Sequence, residues 1–395
     1  MMSKREVVVL SAVRSAVGTF SGTLADIEPA ELAGTVMKAA VERSGVDPKV
    51  INYVTVGNTI PTESRFPYVA RVASIQAGLP MDSVAMAVNR LCSSGLQAIV
   101  TTAQNILLGD CDYGVGGGVE VMSRGGYLSP ALRAGARMGD SKMIDMMVAT
   151  LTDPFGVGHM GITAENLATK WNITREDQDA FAAESHRRAA AAIAAGHFKS
   201  QILPIEIPNK KEAILFDTDE HPRADSCISN LAKLRPAFQK DGTVTAGNAS
   251  AISDGAAAVV LMDSKAAEYN KLQPMARLVS YGHAGVDPKF MGIGPVPAVK
   301  QALRRANLDI TDMDVIESNE AFAVQACAVA HELQFDPAKV NPNGGAVALG
   351  HPIGATGSIL TIKAIYELRR INGRYALVTM CIGGGQGIAA IFERL

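Results

Sequence analysis

The stretch VNRLCSSGLQAI, residues 88–99, joins a strand-like run to a helix-like one, with a cysteine at the joint. Upstream, Ser83 to Val88 is short and apolar and reads as a strand. Downstream, Leu96, Ile99, Val100, Ala103, Ile106 and Leu107 recur at helical spacing, and Gly109 supplies a stop. A strand that turns straight into a helix is the unit of an α/β sheet. Cys92 itself has two readings. It is a buried structural cysteine, or a thiol whose anion the helix N-terminus favours through unpaired N–H groups and the helix dipole. Ser93, Ser94 and Gly95 are small and leave the sulfur approachable.

Outward from this joint the pattern continues. Val7 to Val13 reads as a buried strand. Glu31 to Arg43 reads as a helix with Leu32, Val36, Met37, Ala40 and Val41 on one face. Val50 to Val56 reads as a strand ending at Gly57-Asn58, and YGVGGGVE (113–120) as a glycine-rich strand. The C-terminal part repeats the plan. Val296, Val299, Leu303 and Ala306 make a helical face, MDVIESNEAF gives a strand ending at Asn319, and Ile359, Ile362 and Ile365 form another helix. RYALVTMCIGGGQG and IAAIF close the chain as strands. Asn58 lies 37 residues before Gly95, and Asn319 lies 38 before Gly357, so two strand-ending asparagines precede two helix-opening glycines at nearly one spacing. This predicts two similar α/β halves. Between them, residues 122–252 differ: they are richer in charge and methionine, and TREDQDAFAAESHRRAAAAIAAGHF opens with a capping-box-like Thr174 and Asp177. This segment reads as an insertion near the sheet ends, where α/β folds bind their ligands.

Composition bounds the answer. The chain has 395 residues, 48% hydrophobic and 19% charged, so large cores are possible and global disorder is not expected. A net charge of −2 gives no electrostatic case for nucleic acid. No apolar run approaches the roughly 18 residues of a membrane span, and MMSKREVVVL lacks the features of a secretory signal. A cytoplasmic location follows as the simplest expectation. The five cysteines show neither metal-finger spacing nor a paired framework, so neither a zinc site nor disulfides are expected.

Three further segments could carry chemistry. NPNGGAVALGHPIGATG (341–357) holds five glycines and one histidine. Gly350 and Gly354 flank His351-Pro352 and permit close approach of a ligand, so His351 reads as a candidate base for a cysteine or as a satisfied loop histidine. In MCIGGGQG, Cys381 ends a strand and the following glycine N–H groups could receive an oxyanion. In SNEAFA, Asn319 reads as a helix cap or as a group holding a water or carbonyl oxygen, with Glu320 suited to a helix first turn.

Taken together, NRLCSSGLQAI, NEAFA, GGAVALGHPIGATG and CIGGGQG resemble the thiolase family in order and spacing, and HMGITAEN and KLRPAF…GTVTAGNAS resemble it in the insertion. The resemblance runs from VVVLSAVRSAVGTF to the C-terminus and is nearest to biosynthetic-type β-ketothiolases. It implies an α/β thiolase fold, two duplicated halves in a five-layered αβαβα core with an inserted loop domain. The implied boundaries are 1–121 with 253–271, 122–252, and 272–395. It implies acyl transfer between coenzyme A thioesters through a Cys92 acyl-enzyme. His351 activates Cys92, Cys381 moves the α-proton, and Asn319 holds a water that completes one oxyanion hole with His351. The N–H groups of Cys92 and Gly383 form the other. His159 and Met160 are implied at the pantetheine tunnel, with Leu234, Phe238, Ala246, Ser250, Ala321, Phe322 and Arg223 as further CoA contacts; the surroundings of Arg223, HPRADSCISN, match the family poorly. Acyl-CoA and CoA are the implied partners, in a homotetramer, with no permanently bound cofactor, no metal, no nucleic acid and no membrane.

The chemistry agrees with the residue types. Thiolates are good nucleophiles and leaving groups, so a thioester exchanges readily with a thiol. Carbon–carbon bond formation needs an enolate and preorganised donors for its charge. Two cysteines divide the work: one holds the acyl group while the other moves a proton. A fatty-acid-type condensing enzyme, with one cysteine and two histidines, is disfavoured by Cys381. A silent lipid carrier is disfavoured by the presence of Cys92, His351 and Cys381 together. A degradative thiolase of broader chain length remains open, because nothing in these segments fixes acyl length or direction, although the methionine of HMG points to short chains.

Overall fold

The computed structural model describes residues 5–208 and 212–395. Its main strands are β1 (Val7–Arg14), β2 (Tyr53–Gly57), β3 (Val84–Val88), β4 (Tyr113–Val121) and β5 (Ser253–Asp263) in the first half. The second half holds β6 (Ala276–Gly285), β7 (Val315–Ser318), β8 (Tyr375–Ile382) and β9 (Gln386–Arg394). The principal helices are α1 (Pro29–Ser44), α2 (Val69–Gln76), α3 (Ser94–Leu108), α4 (Met160–Trp171), α5 (Arg175–Ala194), α6 (Pro295–Ala306), α7 (Ala323–Leu333) and α8 (Ile353–Ile371).

The sheet runs β7-β8-β9-β6-β1-β5-β4-β2-β3. Its two halves share one pairing plan. In the first, β2 is parallel to β4, and β4, β5 and β1 follow antiparallel. In the second, β7 is parallel to β8, and β8, β9 and β6 follow antiparallel. Even the irregularities repeat: the register slips between Val9 and Ser11 in β1 and between Leu278 and Ser280 in β6. One difference is the outer edge. β3 pairs along β2, whereas the second half offers only an isolated parallel bridge, Ile316 to Val340. Asn341 (φ 42) and Pro342 follow immediately, and proline has no N–H to continue a ladder. The halves meet where β1 pairs with β6 through Val8–Arg277 and Val9–Ala276, which makes one continuous sheet.

Burial sorts the helices into layers. Leu32, Val36 and Met37 of α1 pack with Val54 and Val115 on one outer face. Val299 and Ala302 of α6 pack with Leu377 and Ile391 on the other. Between the halves, Ile99 of α3 and Ile362 and Ile365 of α8 pack with Val259, Val378 and Ile388. The order is helix, sheet, helix, sheet, helix. α8 is buried around its whole circumference through Ile365, as a central-layer helix must be.

The segment between β4 and β5 carries α4, α5 and small two-stranded ribbons. The capping box at Thr174 and Asp177 is present. Three local expectations change. The strand expected from Val50 begins at Tyr53, because Asp47 caps a short turn over Pro48–Val50. Asn319 and Glu320 do not open a helix: α7 starts at Ala323, and Phe322 first bridges to Ala249. Gly357 lies in the second turn of α8; counted from the helix start, the counterpart of Gly95 is Gly354.

Candidate active site

Cys92 lies in a single tight turn, Leu91–Ser93, just ahead of α3. Leu91 takes φ 49, a costly conformation for a bulky residue. Its surroundings hold it there. Asn89 Oδ1 accepts from Leu91 N at 3.0 Å, and Ser94 Oγ accepts from Arg90 N at 2.8 Å while donating to Leu91 O at 2.7 Å. The turn packs directly on the end of β2: a Cβ at Gly57 would lie 2.3 Å from the Ser94 carbonyl carbon. The sulfur accepts from its own N–H and from that of Gly383. Those donors favour the thiolate, as the helix start was expected to do. Burial overrides them and pushes the thiol up to about 11, so Cys92 rests protonated. To act as a nucleophile the thiol would need a base.

His351 occupies the matching place in the second half, two residues ahead of α8, after Gly350 with φ 94. Its Nδ1 lies 2.6 Å from Thr356 Oγ1, and the Thr356 hydroxyl donates to Pro352 O at 2.9 Å. With its proton committed, Thr356 accepts, so Nδ1 carries the ring hydrogen and Nε2 presents a lone pair. Nε2 is buried and has no partner. Burial lowers the imidazole to about 4, which keeps it neutral at physiological pH. Sequence reading missed Thr356; the available signal was a hydroxyl in the first turns of a helix whose cap region holds the histidine.

Cys381 is fully buried near the end of β8. Burial, with Cys92 as a smaller contribution, pushes its thiol well above the ordinary range. Asn319 follows β7. Its backbone N–H donates to Thr379 O at 3.0 Å, yet both of its buried amide atoms are unpartnered. A buried amide without partners is rare and marks a place for water or ligand.

Cys92, His351, Cys381 and Gly383 line one cavity of about 410 Å³. His159, Met160, Phe238, Ala246, Ser250, Ala321 and Phe322 line the same space. Its wall also includes Met122, Leu151, Ile252, Met291 and Ile353, apolar residues that the sequence did not single out. His159 caps α4, its Nδ1 accepting from Gly161 N at 3.1 Å, and stacks on Phe238 at 4.8 Å. Gly161 permits that stack: a Cβ there would lie 2.2 Å from the Phe238 ring. Leu234 and Arg223 instead line a second cavity of about 380 Å³. The two share Ala246, Ala249 and Ala251 in their walls and so adjoin. Arg223 N donates to His186 Nδ1 at 3.2 Å, and His221 Nε2 lies 2.9 Å from Ser253 Oγ, which accepts from His351 N at 3.0 Å. The poorly matching HPRADSCISN segment thus reaches the back of the histidine turn. Asn319 is the one expected site residue outside both cavity linings.

Residues 7–265 match the family model "Thiolase, N-terminal domain" and residues 272–394 match "Thiolase, C-terminal domain". The chain belongs to the thiolase family. It is 60% identical over 392 residues to the β-ketothiolase BktB of Cupriavidus necator, covering 99% of this chain and 100% of that one. It is 49% identical to an acetyl-CoA acetyltransferase of Pseudomonas aeruginosa over the same shares. Among solved structures, human mitochondrial 3-ketoacyl-CoA thiolase superposes with a TM-score of 0.97 at 43% identity, covering 99% of both chains. The Bacillus anthracis acetyl-CoA acetyltransferase gives 0.97 at 45% identity, covering 100% of both.

Proposed function

We propose that this thiolase is an acyl-CoA C-acyltransferase that joins two short acyl-CoA molecules into a 3-ketoacyl-CoA and CoA, and runs the reverse thiolysis. The observation that carries this reading is the convergence of two thiols and one neutral imidazole, from both halves, on one apolar cavity. In thiolysis, Cys92 attacks the 3-keto carbon and its proton passes to His351 Nε2. The carbon–carbon bond breaks, and the departing enolate takes the proton of Cys381. CoA then attacks the Cys92 thioester, giving its thiol proton to the Cys381 thiolate. Cys92 leaves and recovers its proton from His351. Condensation is the same sequence reversed. The resting state suits it, since both thiols hold protons and Nε2 is free. The N–H groups of Cys92 and Gly383 receive the thioester oxygen, because they already point at the sulfur. A water on the orphaned amide of Asn319 supports the enolate oxygen beside His351. The second cavity, with Arg223 and Leu234, takes the CoA end remote from the chemistry.

Met160 limits acyl length on this reading, since its Cε lies 3.1 Å from where a Cβ of Gly383 would stand. Thiolysis measured over a series of 3-ketoacyl-CoA lengths, beside condensation of acetyl-CoA, tests the assignment. Trapping the acetyl group on the Cys92 peptide by mass spectrometry is the direct check, and labelling at any other residue refutes it. No helix among the described residues is long and apolar enough to cross a membrane. We infer a cytoplasmic homotetramer. β3 supports the assembly: it is an edge strand reading VAMAV, with Val84 58% and Met86 37% exposed. An unprotected apolar edge is unusual in a monomer. Met86→Glu is expected to yield a smaller species in light scattering.

A further inference from the structure

Glu120 stands in the first half where Cys381 stands in the second. Gly57 pairs with Gly118 and Ser318 with Thr379, and each of the two residues lies two positions further along its strand. The Glu120 side chain is fully buried. It accepts from Asn58 Nδ2 at 2.8 Å, from Thr59 N and Ile60 N at 3.1 Å each, and from Gly354 N at 2.8 Å. Among the described residues no lysine or arginine pairs with it.

These donors belong to the supports of two different catalytic turns. Thr59 Oγ1 lies 3.4 Å from Leu91 O and 3.3 Å from Ser94 Oγ, and Asn89 Nδ2 donates to Thr59 O at 3.3 Å. The strand end that Glu120 grips is thus bonded to residues on both sides of Cys92. Gly354 lies three residues past His351, in the first turn of α8. A Cβ there would stand 2.7 Å from Val119 O and 2.8 Å from Glu120 Oε2, so only glycine lets α8 approach this closely.

We propose that Glu120 is a positioning residue: its carboxylate ties the Cys92 turn to the His351 turn across the two halves, and its charge disfavours the Cys92 thiolate. The proposal rests on Cys92 being the nucleophile. The charge already acts in the expected direction, raising the thiol. Burial pushes the carboxyl itself up to about 7 while its N–H donors pull it down, so it is ionised wherever Cys92 titrates. Of the other titratable groups on the elements around it, Cys92 stands ahead of α3, His351 ahead of α8 and Asp254 on β5 with its carboxylate taken by Ser123 N and Oγ; Tyr53 on β2, Tyr113 on β4, Asp263 on β5 and Lys363, Tyr366, Glu367, Arg369 and Arg370 on α8 lie further along theirs.

The test follows the rate of Cys92 alkylation by iodoacetamide against pH, read at the Cys92 peptide, beside the rate of acetyl-enzyme formation. Glu120→Gln removes the charge and is expected to lower the alkylation midpoint by roughly half a pH unit or less, burial remaining the main cause of the raised thiol, and to slow acetylation about tenfold. Glu120→Asp keeps the charge but is one methylene too short to reach both turns. It is expected to hold the midpoint and still slow acetylation about tenfold. An unchanged midpoint in a folded Gln variant overturns the electrostatic role. Wild-type acetylation in the Asp variant overturns the tether, and it decides alone if the Gln variant does not fold. Alkylation needs no acyl-CoA, so failure of this proposal is distinguishable from failure of the thiolase reading.

Discussion

Two corners of this molecule have one backbone and opposite chemistry. In the first half, Asn58 follows β2 and Glu120 lies on β4; in the second, Asn319 follows β7 and Cys381 lies on β8 in the same register. The first corner is saturated except at Asn58 Oδ1, which has no partner. Asn58 Nδ2 donates to Val119 O and Glu120, and the carboxylate also receives three backbone N–H groups. The second is starved, since neither amide atom of Asn319 has a partner. Leaving a buried polar group unpaired costs about 1–3 kcal/mol. The same strand ends occur twice; on the proposed function, one copy is filled to hold the fold and the other is left open for a ligand.

The comparison breaks most sharply at Cys92, the proposed nucleophile. Cys92→Ala is expected to abolish acyl-enzyme formation, leaving no acetyl group on the protein after incubation with acetyl-CoA. Cys381→Ala is expected to accept the acetyl group and then fail to condense, with turnover down about 10²–10⁴-fold, the usual worth of a positioned acid–base group. Near-normal condensation by that variant would mean that the second corner is structural too.

The asparagines sharpen the contrast. Asn319→Ala is expected to cost about 10²–10³ in turnover, the loss typical of one oxyanion donor, with little change in thermal stability. Asn58→Ala strips a donor from a buried carboxylate and is expected to destabilise the fold by about 1–3 kcal/mol in denaturant unfolding. Equal stability losses in both variants would erase the distinction.

Much of this was legible in the sequence. The duplicated plan showed in the order of apolar runs, and Cys92, His351 and Cys381 each stood in a glycine-rich or small-residue context that leaves room around a reactive atom. What stayed hidden depends on three dimensions. The exchange of Asn319 from helix cap to orphan followed from α7 starting three residues later, which no local pattern around NEAF announces. The raised Cys92 thiol was invisible because burial, a property of the packed cavity, outweighs the helix start that the sequence displays. Glu120 acts through bonds to residues far along the chain and sits in a strand that read only as glycine-rich, whereas Thr356 is just five residues from His351 and was missed because the sequence does not show its hydroxyl turned to that ring.

The smallest effect expected concerns the pair ahead of the two central helices. Burial keeps both neutral by moving them in opposite directions: the Cys92 thiol from 9.0 up to about 11, the His351 imidazole from 6.5 down to about 4. Between pH 4 and 6.5 the unfolded histidine binds a proton that the folded one refuses, so stability falls as pH drops through that window. Between pH 9 and 11 the unfolded cysteine releases a proton that the folded one keeps, so stability falls as pH rises. His351→Asn is therefore expected to flatten the acid side of the melting-temperature profile and Cys92→Ala the alkaline side. Each kcal/mol recovered is worth roughly 2–4 °C or less in a chain of this length. Each side is flattened only in part, because His186 and His283 are also held down to about 4 by burial, and burial also raises the thiols of Cys111, Cys327 and Cys381. If either variant instead leaves its side of the profile unchanged, the resting pair is not the neutral thiol and neutral imidazole on which the proposed proton transfers depend.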